Sequence, residues 1–472
     1  MDTVEVDVAI IGAGTAGLSA QRAARKAGAR ALLIDRGPLG TTCARVGCMP
    51  SKLLIAAAEA AEAVREAPGF GVHAGEPRVD GPAVLQRVQS ERDRFVSFVL
   101  ADCRALEDRG DLTLGTATLT GPHSLTIAGS GLHGPPALLR EVRFRSLVVA
   151  TGSAPVIPDD YRELHGLVLT NDGVFELPDL PPSALVVGAG AIGLELGQAL
   201  HRLGVRTTIL GHRGALGPLG DPDVKAAALA ALTHELDLHP THTLEHLGRG
   251  GDGVLARFRD RDGNPREGTW SRVLLAAGRR PLTAGLGLEH AGVRLDERGR
   301  PRDVDPRTLR AGDTHVFFAG DVAGLRPLLH EAADEGHIAG SNAARHPDVA
   351  AHPRRAELSV VFTDPNLAVV GGGIVDSPAP DHAHGDVDWT RQGRARVLRK
   401  NRGMARIYAR RRDRVLTGAE IAGPHAEHMA HLLAWVVQQG LTVDQALALP
   451  FYHPVLEEGL RTALRALHDA LS

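Results

Sequence analysis

An α/β chain is what this sequence predicts: two copies of one strand–glycine turn–helix–strand unit, followed by a C-terminal α+β segment. Three observations carry that prediction. The pattern Gly-x-Gly-x-x-Gly occurs at Gly12, Gly14 and Gly17 and again at Gly188, Gly190 and Gly193, each time between an apolar strand and a helix. A second echo accompanies the first: Leu147-Val148-Val149-Ala150-Thr151-Gly152 resembles Val273-Leu274-Leu275-Ala276-Ala277-Gly278. From about residue 351 the register changes to short alternating strands followed by helices.

The elements follow in order. Residues 6–11 read as a buried strand and 18–26 as a helix, and the strand 31–34 ends in Asp35, completing a βαβ unit. From Cys48 to about Arg109 the pattern is helical and rich in Ala, Glu and Arg. Strand 184–187, helix 194–203 and strand 207–210 repeat the unit, and strand 315–318 leads into Gly320-Asp321. Strands are expected at 356–363, 367–371, 404–409 and 415–421, with helices from His425 onward. Residues 347–353 and 376–388 read as surface loops, because Pro, His and Asp cluster there.

Composition narrows the class. The 472 residues suggest three domains at roughly 150 residues each. Hydrophobic residues at 43% and charged residues at 23% are ordinary for a globular protein and exclude a disordered or collagen-like chain. The 53 Lys+Arg against 56 Asp+Glu lack the basic footprint of a nucleic-acid binder. Three cysteines, Cys43, Cys48 and Cys103, argue against an oxidised secreted scaffold. No apolar run reaches the roughly 18 residues that a membrane span needs, and the acidic start does not read as a signal peptide. The expectation is a soluble, cytoplasmic protein with no membrane or nucleic-acid partner.

The glycine turns carry the first chemistry. The first Gly makes the tight turn, the second lets the backbone approach a pyrophosphate, and the third lets helix and strand pack closely. The N–H groups of the helix N-terminus then meet the anion. Asp35 stands where a carboxylate can bind ribose hydroxyls. At the second turn that acid is missing: Gly211 follows the strand, then His212 and Arg213. A carboxylate there favours NAD and a cation favours a 2′-phosphate; the alternative is that His212 and Arg213 are simply solvent-facing.

Cys43 and Cys48 are the next feature. Residues five apart in a regular helix are about 7.5 Å apart along the axis, and disulfide partners usually have Cα atoms within about 7 Å. The pair can bond only if the backbone departs from an ideal helix, which Gly47 and the Thr41-Thr42 entry permit. Two separate thiols are the alternative; a metal site is disfavoured because no second Cys or His pair stands nearby. No metal is expected.

With these residues the chain resembles the class I pyridine nucleotide–disulfide oxidoreductases over essentially its whole length. The marks are the first glycine turn, Cys43 to Cys48 ending in Pro50-Ser51-Lys52, and Ala150-Thr151-Gly152. They continue with Gly193-Leu194-Glu195, Gly278-Arg279-Arg280-Pro281, Gly320-Asp321, and His453-Pro454 with Glu458. The resemblance implies FAD at the first turn and NAD, with NADP possible, at the second. It implies two Rossmann-like FAD/NAD(P)-binding domains plus a C-terminal α+β dimerisation domain: 1–155 and 279–350 for FAD, 156–278 for NAD(P), 351–472 for dimerisation.

The same resemblance assigns roles. Cys43 becomes the interchange thiol and Cys48 the thiol against the flavin, the two forming a redox-active disulfide. Lys52 and Glu195 become an ion pair beside flavin N5, and Asp321 binds the ribityl chain. Leu329 and His330 lie near the pyrimidine edge, and Thr42, Thr151, Gly152, Gly278 and Arg279 join the cofactor contacts. Thiol exchange needs a base; among 23 histidines a lone His is by default surface decoration, but His453 with Glu458 fits the family's base pair, acting in the other subunit of a homodimer.

The activity expected from the resemblance is oxidation of dihydrolipoyl groups on a lipoyl-bearing protein or small dithiol. No Cys follows Cys103, which disfavours members that use a C-terminal cysteine pair. Val455 replaces a threonine common in the lipoamide-specific members and weakens that substrate. An NADPH-dependent reductase of glutathione or another low-molecular-weight disulfide is the alternative, supported by Gly211. A redox-sensing flavoprotein module with little turnover is the reading from a different class.

Overall fold

A computed structural model describes residues 3–129, 138–378 and 380–472. It contains two compact units, each assembled from separate stretches of chain: Met1–Pro50, Gln89–Val156 and Gly278–Arg354 form one, and Ser51–Val88, Ile157–Ala277 and Arg355–Ser472 the other. The fold is mixed α/β.

The first unit is built on a seven-stranded sheet. Its parallel part runs Leu112–Leu114, Ala31–Asp35, Thr3–Ile11, Leu138–Val149, and Val316–Phe318 also pairs with Leu138–Val149. Ser124–Ala128 and Thr116–Gly121 extend it antiparallel. Val8 to Ile11 and Ala31 to Ile34 are buried on both faces, which is why they read as continuous apolar runs. The helices Thr15–Lys26 and Leu329–Arg345 pack on one face by close backbone approach. A Cβ on Gly336 would lie 2.1 Å from the Ala16 carbonyl oxygen, and one on Gly340 would lie 2.2 Å from that of Ala20. Cys103, in the helix Gly81–Asp108, is fully buried in the core beside Val8, Leu33 and Leu106.

The second unit repeats the parallel grammar in the strand order Asp237–His239, Arg206–Leu210, Ser183–Val187, Arg272–Leu275, Val168–Leu169. A three-stranded antiparallel sheet follows, Thr243–Gly250, Gly253–Arg259 and Pro265–Trp270. The C-terminal part is a five-stranded antiparallel sheet ordered Leu358–Val361, Asn366–Val370, Leu416–Gly423, Met404–Arg410, His382–Asp388. The helices Ala426–Gln438 and Glu458–Ala470 cover it, burying Met429, Ala430 and Leu433 from one and Leu460, Leu464 and Leu467 from the other. Trp389 is fully buried against Gly423 and Gly459, where a Cβ would lie 2.3 Å from the indole.

Local expectations need adjusting at several places. Residues 382–388 are a strand rather than a loop: Ala383, Gly385 and Val387 alternate inward against Met404–Arg410, while the polar residues between them hide that period from a composition argument. The helical stretch after Cys48 is two helices, Cys48–Glu66 and Gly81–Asp108, separated by a 3₁₀ turn and loop around Pro68 and Gly71. Both glycine-turn helices begin three residues earlier than expected, at Thr15 and Ala191, inside the turn itself. Among the described residues no helix is long and apolar enough to cross a membrane.

Candidate functional site

The two glycine turns have the same geometry. Gly12 has φ +106°, and a Cβ there would lie 2.3 Å from the Ala150 carbonyl oxygen; a Cβ on Gly17 would lie 1.7 Å from that of Gly12. In the second unit a Cβ on Gly188 (φ +119°) would lie 2.3 Å from the Ala276 carbonyl oxygen, and one on Gly193 would lie 1.8 Å from that of Gly188. At Gly14 and Gly190 a Cβ would meet nothing within 4 Å. The first and third glycines are therefore demanded by packing, and the second opens space before a helix whose N-terminus has no side-chain cap. Open space in front of unsatisfied N–H groups fits the diphosphate of a dinucleotide in each unit.

Asp35 does more than end its strand. Its Oδ2 accepts from the Ala13 N–H and its Oδ1 from the Gly37 N–H, both at 2.6 Å. Both oxygens are thereby held against the turn, with lone pairs remaining for ribose hydroxyls. In the second unit Gly211 has a steric reason. A Cβ there would lie 2.7 Å from the Pro240 Cα and 2.8 Å from its carbonyl oxygen, so no acid can occupy the position without moving that backbone. His212 and Arg213 beside it are exposed, and Arg213 adopts φ 52°.

At the cysteines the helix Thr42–Val46 stops at Gly47, and a new helix, Cys48–Glu66, begins immediately. A Cβ on Gly47 would lie 3.0 Å from the Thr42 carbonyl oxygen and 3.1 Å from the Cys43 Cα, so the chain folds back on the Cys43 turn. Thr42 is exposed at the first helical position. Thr41 caps that helix, its Oγ1 accepting from the Ala44 N–H at 3.2 Å, from a backbone at φ 59° and ψ 148°. That conformation is rare for a β-branched residue and marks local strain. Cys43 is half-buried and Cys48 exposed.

Lys52 lies one turn beyond Cys48 in the same helix. Its Nζ donates to Glu195 Oε2 at 2.7 Å, while Glu195 Oε1 accepts from the Phe362 N–H at 2.9 Å. The ammonium also stands 4.5 Å from the centroid of the Phe362 ring. Glu195 is buried, so each of its bonds is held away from competing water. Glu195→Leu is expected to destabilise the protein by about 2–3 kcal/mol, because it removes a charge-assisted bond and leaves a backbone N–H without its acceptor. Urea unfolding monitored by circular dichroism checks this; an unchanged midpoint would contradict it.

Asp321 belongs to a second cluster, in the first unit. Its Oδ2 accepts from Ser153 Oγ at 2.6 Å, and Arg279 donates to Ser153 through Nε to Oγ and Nη2 to the carbonyl, both at 2.8 Å. Thr151 Oγ1 donates to the Leu282 carbonyl at 2.7 Å. Gly152 (φ +72°) and Gly278 (φ +106°) both have open space where a Cβ would stand. Glu335, fully buried, accepts from the Gly320 N–H and is held by Arg354, which fixes the backbone before Asp321. Leu329 and His330 are exposed at the start of their helix.

His453 and Glu458 form a pair in the second unit. His453 Nδ1 lies 3.0 and 3.1 Å from the two Glu458 oxygens. An ionised carboxylate only accepts, so Nδ1 carries the proton and Nε2 presents the basic lone pair. The hydrogen bond from His453 above all, against an opposing burial effect, and then the Val455 N–H and the Arg461 charge hold the Glu458 carboxyl below the usual carboxylate range.

The structure thus brings together Lys52 with Glu195, Asp321 with Arg279, His453 with Glu458, and Asp35 with its own glycine turn. Two further residues touch these groups. Ser153 has a signal in the sequence, since it sits directly beside Ala150-Thr151-Gly152. Phe362 has none: it meets Glu195 across 167 positions of chain.

The sequence profile described as "Pyridine nucleotide-disulphide oxidoreductase" matches residues 6–336, and the dimerisation domain of the same family matches residues 358–464. A mercuric reductase of Streptomyces lividans is 33% identical over 465 residues, covering 95% of this chain and 93% of that one. A dihydrolipoyl dehydrogenase of Halobacterium salinarum is 30% identical over 471 residues, covering 98% and 97%. Among solved structures, LpdA of Mycobacterium tuberculosis superimposes with a TM-score of 0.81 at 26% identity, covering 98% and 99%. The flavoprotein disulfide reductase RclA of Escherichia coli, at 23% identity and a TM-score of 0.78, shares the fold. With profiles spanning both its nucleotide-binding and its C-terminal parts, the chain belongs to the pyridine nucleotide–disulphide oxidoreductases, flavoenzymes that use FAD and NAD(P).

Proposed function

We propose that the protein is a dihydrolipoamide dehydrogenase, acting as a homodimer on a lipoyl-bearing protein or a small dithiol. The observation that carries the reading is the His453–Glu458 pair, an imidazole oriented by both carboxylate oxygens in a chain that also carries Cys43 and Cys48 across a helix break. The relatives named dihydrolipoyl dehydrogenase match over nearly their whole length. Mercuric ion as substrate has less support, since no Cys follows Cys103 to pass the metal on.

The chemistry starts from the oxidised Cys43–Cys48 pair. His453 Nε2 takes a proton from one substrate thiol, and the resulting thiolate attacks Cys43 Sγ. The Cys43–Cys48 bond breaks and Cys48 leaves as a thiolate. The second substrate thiol, deprotonated in turn, attacks the substrate sulfur of the mixed disulfide, closing lipoamide and releasing Cys43. Two electrons now reside on the cysteine pair, and two protons have left the substrate. Bound FAD supplies the two-electron relay from this dithiol to NAD⁺. Gly12, Gly14, Gly17, Asp35, Asp321 and Arg279 would hold FAD, and Gly188, Gly190 and Gly193 the nicotinamide nucleotide, within the domain division at 155, 278 and 350. Lys52, kept in place by Glu195, would stabilise negative charge on a reduced ring.

A second copy of the chain fits an apolar groove formed by Leu432, Trp435, Val436, Leu449, Phe451 and Tyr452. Trp435 is 65% exposed and Tyr452 79%, apolar surface that a second copy would cover. A partner on this groove lies beside the segment that carries His453.

One observation favours a second reading, an NADPH-dependent reductase of a low-molecular-weight disulfide: the steric exclusion of an acid at Gly211 beside exposed Arg213. Steady-state rates decide. Dihydrolipoamide with NAD⁺ is expected to turn over well above glutathione disulfide with NADPH, and the reverse order would replace the first reading by the second. Under the second reading Arg213→Ala raises the KM for NADPH about tenfold and spares NADH, the size of one charge-assisted bond to phosphate; under the first it changes neither appreciably.

A further inference from the structure

One cluster of metal-ligating side chains lies outside every group described above. It surrounds the start of the helix Ala426–Gln438 in the sequence Pro424-His425-Ala426-Glu427-His428. His425 is the residue before the helix, in the left-handed conformation at φ 49°, and its side chain makes no cap hydrogen bond. Its Nδ1 lies 3.7 Å from Glu427 Oε1, and His428 Nε2 lies 3.5 Å from the same oxygen. All three donor atoms are within 4.8 Å of one another. The two imidazole planes are inclined by only 20°, with centroids 6.2 Å apart.

These separations are close to those of a filled site. Ligands held tetrahedrally at 2.0–2.1 Å from zinc are separated by roughly 3.3 Å, so closure needs shifts of a few tenths of an ångström in the two histidine–carboxylate contacts and a closer approach of the two imidazole nitrogens, which lie within 4.8 Å of each other. A second observation is independent of the spacing. Glu427 Oε2, the carboxylate oxygen that does not face the histidines, is shielded from solvent and has no hydrogen-bond partner among the described residues, so the carboxylate as a whole has acceptor capacity to spare. A buried acceptor with unmet demand is a common sign of an unseen ion or water. His431 does not compete, because its Nδ1 is engaged by the Glu427 carbonyl at 2.6 Å. Lys400, whose charge acts on His425, is itself paired with Asp364 and Glu66.

We propose that His425, Glu427 and His428 form a binding site for a divalent transition-metal ion of the zinc type, with two imidazole nitrogens and one carboxylate oxygen as ligands and water completing the set. Nitrogen and carboxylate donors without a thiolate suit zinc(II) or copper(II) better than the softer monovalent ions. The site is distinct from Cys43, Cys48 and His453 and does not depend on which disulfide or dithiol the enzyme turns over.

The test uses zinc(II) alone on the full-length, FAD-loaded, tag-free protein after chelator treatment. Cys43→Ser and Cys48→Ser are included to remove competing thiols. Equilibrium dialysis with metal analysis is expected to give about one zinc per chain. His428→Gln and Glu427→Gln, each added separately, are expected to raise the zinc dissociation constant by about tenfold or more. His428 is largely exposed, so that variant should keep its flavin absorbance and its metal-free melting temperature. Stoichiometric zinc with unchanged affinity in His428→Gln would overturn the assignment, as would a parent protein that retains no zinc.

Discussion

Cys48→Ser protein is expected to bind FAD normally and to lose dihydrolipoamide oxidation by on the order of 10³-fold or more, the scale on which loss of a covalent nucleophile registers. A serine hydroxyl can neither form the disulfide with Cys43 nor leave as a stable anion. Binding of FAD should survive because Cys48 is exposed and occupies the first position of its helix, where it supports no core packing. The groups proposed to hold the cofactor, from the Gly12 turn to Asp321, belong to other segments. Flavin absorbance at unchanged stoichiometry, measured beside the lost turnover, separates a chemical defect from a folding defect. Turnover that persisted in this variant would remove the cysteine mechanism, whatever the substrate.

His453→Gln is expected to lower kcat for dihydrolipoamide by about 10²- to 10⁴-fold, the usual contribution of a positioned general base. Comparison of the two half-reactions is the more specific readout. Stopped-flow reduction of the bound flavin by NADH should be little changed, because that half-reaction does not require a proton from the dithiol substrate. Equal losses in both half-reactions would contradict the role given to His453.

The parts of the molecule that could be read directly from the chain share a property: each makes a demand on contiguous residues. Gly12, Gly17, Gly188 and Gly193 are required because a Cβ would enter a neighbouring carbonyl oxygen, and that requirement leaves a regular spacing in the sequence. The Cys43–Cys48 interval likewise announces a break in the helix, and Gly47 supplies it. His453 and Glu458 are five residues apart, and the resemblance to the family is what singles them out as a pair. Residues 382–388 were misread because their inward period is filled by Ala, Gly and Val between His and Asp, and only pairing with Met404–Arg410 gives the alternation meaning.

The sequence alone determined the class of fold, the repeated nucleotide-binding turn and the cysteine and histidine motifs, since steric and backbone requirements at short range leave local signatures. Tertiary structure alone decided that Phe362 meets Glu195, that Ser153 links Asp321 to Arg279, and that Pro240 closes the space at Gly211. It also decided that Glu427 Oε2 is buried without a hydrogen-bond partner among the described residues, while Glu427 Oε1 faces His425 and His428. Such contacts join residues whose separation along the chain carries no period, and they exist only after sheets and helices have buried their apolar faces and fixed which strands lie side by side.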